Sequence, residues 1–320
     1  MFPTGKSRLL FVGSCGHVST KLRQNRLQYS LDREHLWHCK RKRFHSFHYV
    51  ASVSASPKRN TRFRPCIDIH EGKVKQIVGS SLNDQQAGKK NLITNFESEL
   101  EPDAYARRYA RDELYGGHVI MLGNGNVQAA KAAIQAFPQG LQVGGGITPQ
   151  NAEFWLMQGA SHVIITSYVF RDGHFYFERL EQVAKLVHPK RLVLDLSARK
   201  IDGHYFVCTN LWQILTKFQL NDQNLNLLSD YCDEFLVHAV DMEGKKQGID
   251  RDLVSLLSDY SPKICTYAGG IRNMEDVELI EKLGKGRVDF TVGSALDLFG
   301  GSMSYDELVK WQHLRMHRVD

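Results

Sequence analysis

Asp68 and Asp195 stand near the ends of two short apolar runs, Pro65-Cys66-Ile67-Asp68-Ile69 and Leu192-Val193-Leu194-Asp195-Leu196. Each is followed by a glycine-rich turn and then by a hydroxyl residue. The first set is Gly144-Gly145-Gly146-Ile147 and Ile165-Thr166-Ser167, and the second is Ala268-Gly269-Gly270-Ile271 and Val292-Gly293-Ser294. Asp68 to Ser167 and Asp195 to Ser294 both span 99 residues. Two carboxyl groups can work as acid and base when their surroundings push their pKa values apart. A glycine turn after a strand lets backbone N–H groups approach a phosphate closely. Either feature alone has a plain structural reading: a strand aspartate caps a helix or pairs with a cation, and a glycine closes a tight loop. The repetition points to an enzyme that grips a substrate by two phosphates and works on its middle. Gly145, Gly146, Thr166 and Ser167 are the candidate ligands of one half, and Gly269, Gly270, Gly293 and Ser294 those of the other. Ser294-Ala295-Leu296-Asp297 is expected to open a short helix that adds its positive end to the second site.

Elements must bring these groups to one place. Apolar runs at 64–69, 118–122, 141–143, 162–166, 191–196, 234–239, 263–268 and 288–292 are rich in Val, Ile and Leu without strict polar alternation. That pattern predicts strands buried on both faces. Helical patterns fall between them at 102–115, 127–137, 149–158, 174–187, 209–218, 250–259, 273–283 and 304–316. Pro149 after Thr148, and Asn273 before Met274-Glu275-Asp276, are start signals. Eight strands alternating with eight helices predict an α/β fold, a single (β/α)8 barrel over residues 61–320. A doubly wound open sheet has the same alternation. Two halves offset by 127 residues, and the lack of an early GxGxxG, favour the barrel. All strand C-termini of a barrel open onto one face, so both aspartates and all the turns would share one mouth.

Trp212, in Phe206-Val207-Cys208-Thr209-Asn210-Leu211-Trp212, reads either as a helix-packing residue or as an aromatic surface for a heterocycle. Asp241, just past the sixth strand, is either structural or substrate-facing. His70 and His238 read as loop or core histidines rather than catalysts.

Residues 1–60 carry twelve Lys and Arg against Asp32 and Glu34, formally +10, so residues 61–320 hold −4 of the chain's net +6. The basic balance belongs to the leader, which argues against a nucleic-acid partner for the folded part. An Arg-rich, Ser-containing, acid-poor leader fits an organelle transit peptide, with plastid preferred over mitochondrion. Leu9-Leu10-Phe11-Val12 is too short for a secretory signal, and no run of eighteen apolar residues predicts a membrane span. Six cysteines without a CxxC pair indicate neither a zinc site nor a disulfide framework.

The stretch from Cys66-Ile67-Asp68-Ile69-His70-Glu71-Gly72-Lys73 to Val78-Gly79 resembles the HisA family of histidine biosynthesis, more narrowly its eukaryotic branch. Gln142-Val143-Gly144-Gly145-Gly146-Ile147, Ala268-Gly269-Gly270 and Val292-Gly293-Ser294-Ala295-Leu296-Asp297 carry the same resemblance, which runs from about Arg62 to beyond Phe299. It implies a (β/α)8 isomerase that converts ProFAR, an aminoaldose with phosphoribosyl groups at both ends, to the aminoketose PRFAR. It further implies Asp68 as base, Asp195 as acid, Trp212 as a stacking surface for substrate, and no metal or redox cofactor. The chain departs from bacterial relatives at Leu122-Gly123-Asn124-Gly125-Asn126 and at Asp241-Met242-Glu243-Gly244-Lys245-Lys246. The sister cyclase HisF has lysines where this chain has Gln76 and Ser197, which favours the isomerase. A barrel that binds phosphate without catalysis is the other rival. The expected partner is a small bisphosphate, the chain acting as a monomer with no nucleic-acid or membrane partner.

Overall fold

A computed structural model describes residues 59–77, 94–243 and 247–316. The expected leader up to residue 58 lies outside the described residues, as do residues 78–93, 244–246 and 317–320. Among the described residues the parallel strands are β1 (Cys66–His70), β2 (Gly117–Met121), β3 (Leu141–Gly144), β4 (Val163–Ile165), β5 (Leu192–Ile201), β6 (Glu234–Ala239), β7 (Ile264–Ala268) and β8 (Val288–Thr291). They pair in chain order, each parallel to the next. The ring closes where Phe63, just before β1, bridges Phe290 of β8. There Arg64 N–H donates to the Phe290 carbonyl at 2.8 Å, and Phe290 N–H to that of Arg62 at 3.0 Å. This bridge joins the first strand of the ring to the last.

One helix follows each strand: α1 (Pro102–Arg111), α2 (Val127–Ala136), α3 (Ala152–Met157), α4 (Phe177–Val187), α5 (Asp222–Ser229), α6 (Arg251–Tyr260), α7 (Met274–Gly284) and α8 (Tyr305–Met316). The fold is a (β/α)8 barrel. Its main core lies between strands and helices, with Ile67, Val119, Val143 and Phe235 of the strands buried against Tyr109, Ile134, Trp155 and Leu257 of the helices. Asn273 caps α7 by accepting from Asp276 N–H at 3.1 Å, as its position predicts. No helix among the described residues is long and apolar enough to cross a membrane.

The barrel interior is layered. At the N-terminal ends of the strands, Arg64 is buried between Glu234 at 2.9 Å and Asp289 at 2.6 Å, and Gln142 also bonds Glu234. Arg59 makes a second pair with Asp289, at 2.6 Å, so the folded body takes in the last two residues assigned to the leader. A small apolar layer of Ile120, Ile164, Val193, Leu236 and Ala268 lies above this plug. Above it, at the strands' C-terminal ends, the side chains turn polar again.

One expected helix is wrong. Residues 209–218 form the end of one strand, His204–Thr209, a turn, and most of another, Ile214–Gln219; the helix of this unit is α5. Leu211, Trp212, Leu215 and Phe218 recur at helical spacing, but the segment pairs as a hairpin with β5, which runs on to Ile201. The first half has a matching extension, Lys73–Ile77 and Thr94–Glu97, attached to β1. Both barrel halves therefore begin with a strand that carries an antiparallel ribbon over the mouth.

Candidate active site

β5 and β6 position the first part of the site. Side chains of a strand alternate between faces, so Asp195 and Ser197 point to the interior with Val193. Leu236 lies opposite Asp195 and His238 opposite Ser197. The His238 ring leans back, and its Nδ1 lies 2.8 Å from Asp195 Oδ1. On the other side the Thr166 hydroxyl donates to Asp195 Oδ2 at 2.9 Å. Both oxygens of Asp195 are thus held. Thr166, expected among the phosphate ligands, also touches Asp195.

Asp68 reaches the same mouth from β1. Gln76, on the ribbon strand Lys73–Ile77, donates to Asp68 Oδ2 at 3.0 Å. Gln76 Oε1 in turn lies close to Gly293, where a Cβ would sit 2.7 Å away. The orientation of Asp68 is therefore coupled to the turn after β8.

A third carboxyl group, Glu243, faces the site from the turn after β6. Its Oε2 is buried without a hydrogen-bond partner and lies 3.1 Å from where a Cβ on Gly269 would be. Glu243 shares one cavity with Gly269, Gly270, Thr291, Gly293 and Ser294. This cavity brings together all four residues expected to form the second phosphate grip, with the Thr291 hydroxyl also unpartnered in its wall.

The electrostatics divide the acids. Burial raises Asp68, and the nearby Glu243 charge adds to it; His238 and the Gln76 bond work the other way, leaving its pKa at about 6. Burial opposes a charged His238, yet the Asp195 carboxylate beside it, aided by Glu243 and Asp68, lifts it to about 9. Burial likewise raises Glu243, against the pull of His238. His118, one layer deeper in β2, is driven by burial down to about 3 and stays neutral. Near neutral pH, Asp68 is mostly ionised while His238 carries its proton against the Asp195 carboxylate. An ionised carboxylate and a protonated imidazole thus face one mouth.

The glycine turns repeat the same close approach. A Cβ on Gly145 would fall 2.1 Å from the Met121 carbonyl at the end of β2; one on Gly269 would fall 3.1 Å from the Ala239 carbonyl at the end of β6. Both have positive φ, 91° and 124°, a region glycine enters freely. The expected helix at Ser294 is absent: a turn comes first, and a three-residue 3-10 helix starts only at Asp297. Leu296 instead bridges Met303, which draws this segment into a loop. Any anion there would rest on backbone N–H groups of the Gly293–Ser294 turn.

Trp212 lies in the turn between His204–Thr209 and Ile214–Gln219, half-buried, and its indole N–H donates to Ser197 Oγ at 3.0 Å. The helix-packing reading is excluded with the helix. Asp241 accepts from Lys200 N–H at 3.2 Å and stands 3.5 Å from Arg199, on the β5 ribbon. Gln76, His238 and Glu243 are the residues that sequence reading did not place in the site. Glu243 lies within the departure noted at residues 241–246. His238 has no local signal, because its partner is 43 residues away.

Residues 62–303 match the family model described as histidine biosynthesis protein. A curated relative from Medicago truncatula, named a chloroplastic 1-(5-phosphoribosyl)-5-((5-phosphoribosylamino)methylideneamino)imidazole-4-carboxamide isomerase, is 49% identical over 271 residues, 81% of this chain and 87% of that protein. Relatives from Neurospora crassa and Saccharomyces cerevisiae bearing the same isomerase name are 48% and 44% identical, each over 78% of this chain and 98% of their own.

Proposed function

The chain belongs to the histidine biosynthesis protein family, and within it we infer an aldose–ketose isomerase that converts ProFAR to PRFAR. The carrying observation is geometric: Asp68, held by Gln76, and Asp195, held by His238 and Thr166, face one mouth. Burial raises Asp68 to about 6, and the Asp195 carboxylate raises His238, against its burial, to about 9. An Amadori rearrangement needs that pairing. The His238–Asp195 pair delivers its proton through Asp195 to the ribose ring oxygen, the ring C–O bond breaks, and the nitrogen lone pair forms an iminium. Asp68 takes the proton from C2, and the electron pair left behind neutralises the iminium to an enolamine. Loss of the enol proton and protonation at C1 yield the aminoketose, with no net change in protons or electrons. A base with a pKa of about 6 is largely ionised at neutral pH and close enough to it to work efficiently.

The two glycine turns are the grips for the two phosphates, Gly145, Gly146 and Ser167 at one side and Gly269, Gly270, Gly293 and Ser294 at the other. Trp212 offers its ring to the heterocycle beside Asp195. Where the sister cyclase has lysines, Gln76 orients Asp68 and Ser197 holds Trp212, both without charge. One chain supplies both grips and both proton-transfer groups, which supports a monomer. The basic leader, with a relative named chloroplastic, supports a plastid location; a cytosolic signal from residues 1–58 fused to a fluorescent reporter would reject it.

The direct test is to incubate the purified protein with ProFAR alone and follow PRFAR. Formation of PRFAR is expected; ammonia-dependent consumption of PRFAR instead would make the protein a cyclase.

A further inference from the structure

We propose that Asn210 and Asp172 are positioning residues, which hold Trp212 in place by stapling the loop after β4 to the ribbon after β5. The inference rests on the reading of Trp212 as the surface that stacks on substrate.

The loop after β4 contains a small hairpin, Phe170–Arg171 with His174–Phe175, turned by Asp172-Gly173. Both turn residues have positive φ, 51° and 77°, the geometry of a two-residue hairpin turn. Such a turn leaves two backbone N–H groups pointing outward, and side chains of the neighbouring ribbon take both. Asn210 Oδ1 accepts from Asp172 N–H at 3.2 Å, and Thr209 Oγ1 accepts from Gly173 N–H at 3.0 Å. Asn210 Nδ2 then donates back to Asp172 Oδ1 at 3.0 Å. Close packing completes the join: a Cβ on Gly173 would meet Ile214 at 3.0 Å.

The stapled turn is costly by itself. Asn210, Leu211 and Trp212 have successive φ values of 52°, 54° and 70°, and only asparagine among them tolerates this region well. Such backbone persists only where its surroundings over-determine it. Here the determinants are the Asn210–Asp172 exchange at one end and the Trp212–Ser197 bond at the other. Ser197 lies two residues beyond Asp195 on the same face of β5, so the strained turn fixes the indole beside the acid. The loop that contributes Asp172 also carries Thr166 and Ser167. The staple thereby joins the partner of Asp195, one phosphate turn and the stacking surface in a single unit.

The test exchanges the partners. Asn210→Asp sets two carboxylates against each other and opens the staple, while Asp172→Asn with Asn210→Asp rebuilds it with donor and acceptor reversed. Both residue types tolerate positive φ, so the backbone is preserved in each variant. We expect Asn210→Asp to raise KM roughly tenfold, the size of one lost stacking contact, with a smaller change in kcat. The double variant should return KM to near the wild-type value. Asn210→Gly, which relaxes the backbone but cannot staple, should match Asn210→Asp at an unchanged melting temperature. Wild-type KM in Asn210→Asp, or a double variant as poor as the single one, would overturn the staple. Unchanged KM in Trp212→Ala would overturn the reading of Trp212 beneath it.

Discussion

His238 Nδ1 lies 2.8 Å from Asp195 Oδ1, and with side chains only 21% and 16% exposed the two form a sheltered ion pair at the centre of the barrel mouth. This contact gives the two halves different surroundings for their carboxylates. Asp68 and Asp195 occupy matching places, but Asp68 meets the amide of Gln76 where Asp195 meets an imidazolium. The duplicated scaffold keeps its glycine turns alike while the surroundings of its carboxylates diverge.

The pH dependence follows with a definite sign. As the proposed base, Asp68 must be ionised, so kcat/KM should rise through a limb near pH 6. In the proposed mechanism His238 must keep its proton beside Asp195, so the rate should fall through a limb near pH 9. His238→Asn should remove the alkaline limb and lower kcat about 100-fold, the lower end of the range for a lost acid or base. A profile that kept its alkaline limb in this variant would assign that limb to another group.

Glu243 bears on Asp68 through its charge. Glu243→Gln removes a cause of the raised Asp68 pKa, so the acid limb should move below pH 6 while most turnover is kept. The shift is read from the same rate profile. A loss as deep as that of Asp68→Asn would make Glu243 the proton donor and reduce the His238–Asp195 pair to a support.

Arg59 tests where the folded body begins. It is bound to both oxygens of Asp289, at 2.8 and 2.6 Å, and donates to the Gly286 carbonyl. A chain starting at Thr61 should be less stable than one starting at Ser56 by about 1–3 kcal/mol, the scale of a charge-assisted hydrogen bond. Urea unfolding measures the difference. Equal midpoints would place Arg59 in the leader after all.

The sequence made the barrel legible because its strands are buried on both faces and announce themselves as apolar runs. Asp68, Asp195 and the glycine turns were legible through repetition, a property of the chain alone. The ribbon after β5 was misread because Leu211, Trp212, Leu215 and Phe218 mimic a helix face, although Leu211 and Leu215 are exposed. A competing signal was present: Asp172-Gly173 and Asp202-Gly203 are two-residue hairpin turns with positive φ, as is Glu71-Gly72 after β1. His238 and Arg59 were illegible for another reason. Their roles come from partners 43 and 230 residues away, which only the closed ring brings into contact.

The most direct measurement of the central claim is the turnover of ProFAR by Asp68→Asn and by Asp195→Asn, each beside a binding measurement with a non-reacting bisphosphate. Each variant should lose at least about 100-fold in kcat while binding the bisphosphate nearly as well as wild type. Full turnover in either variant would contradict the division of acid and base between these two residues.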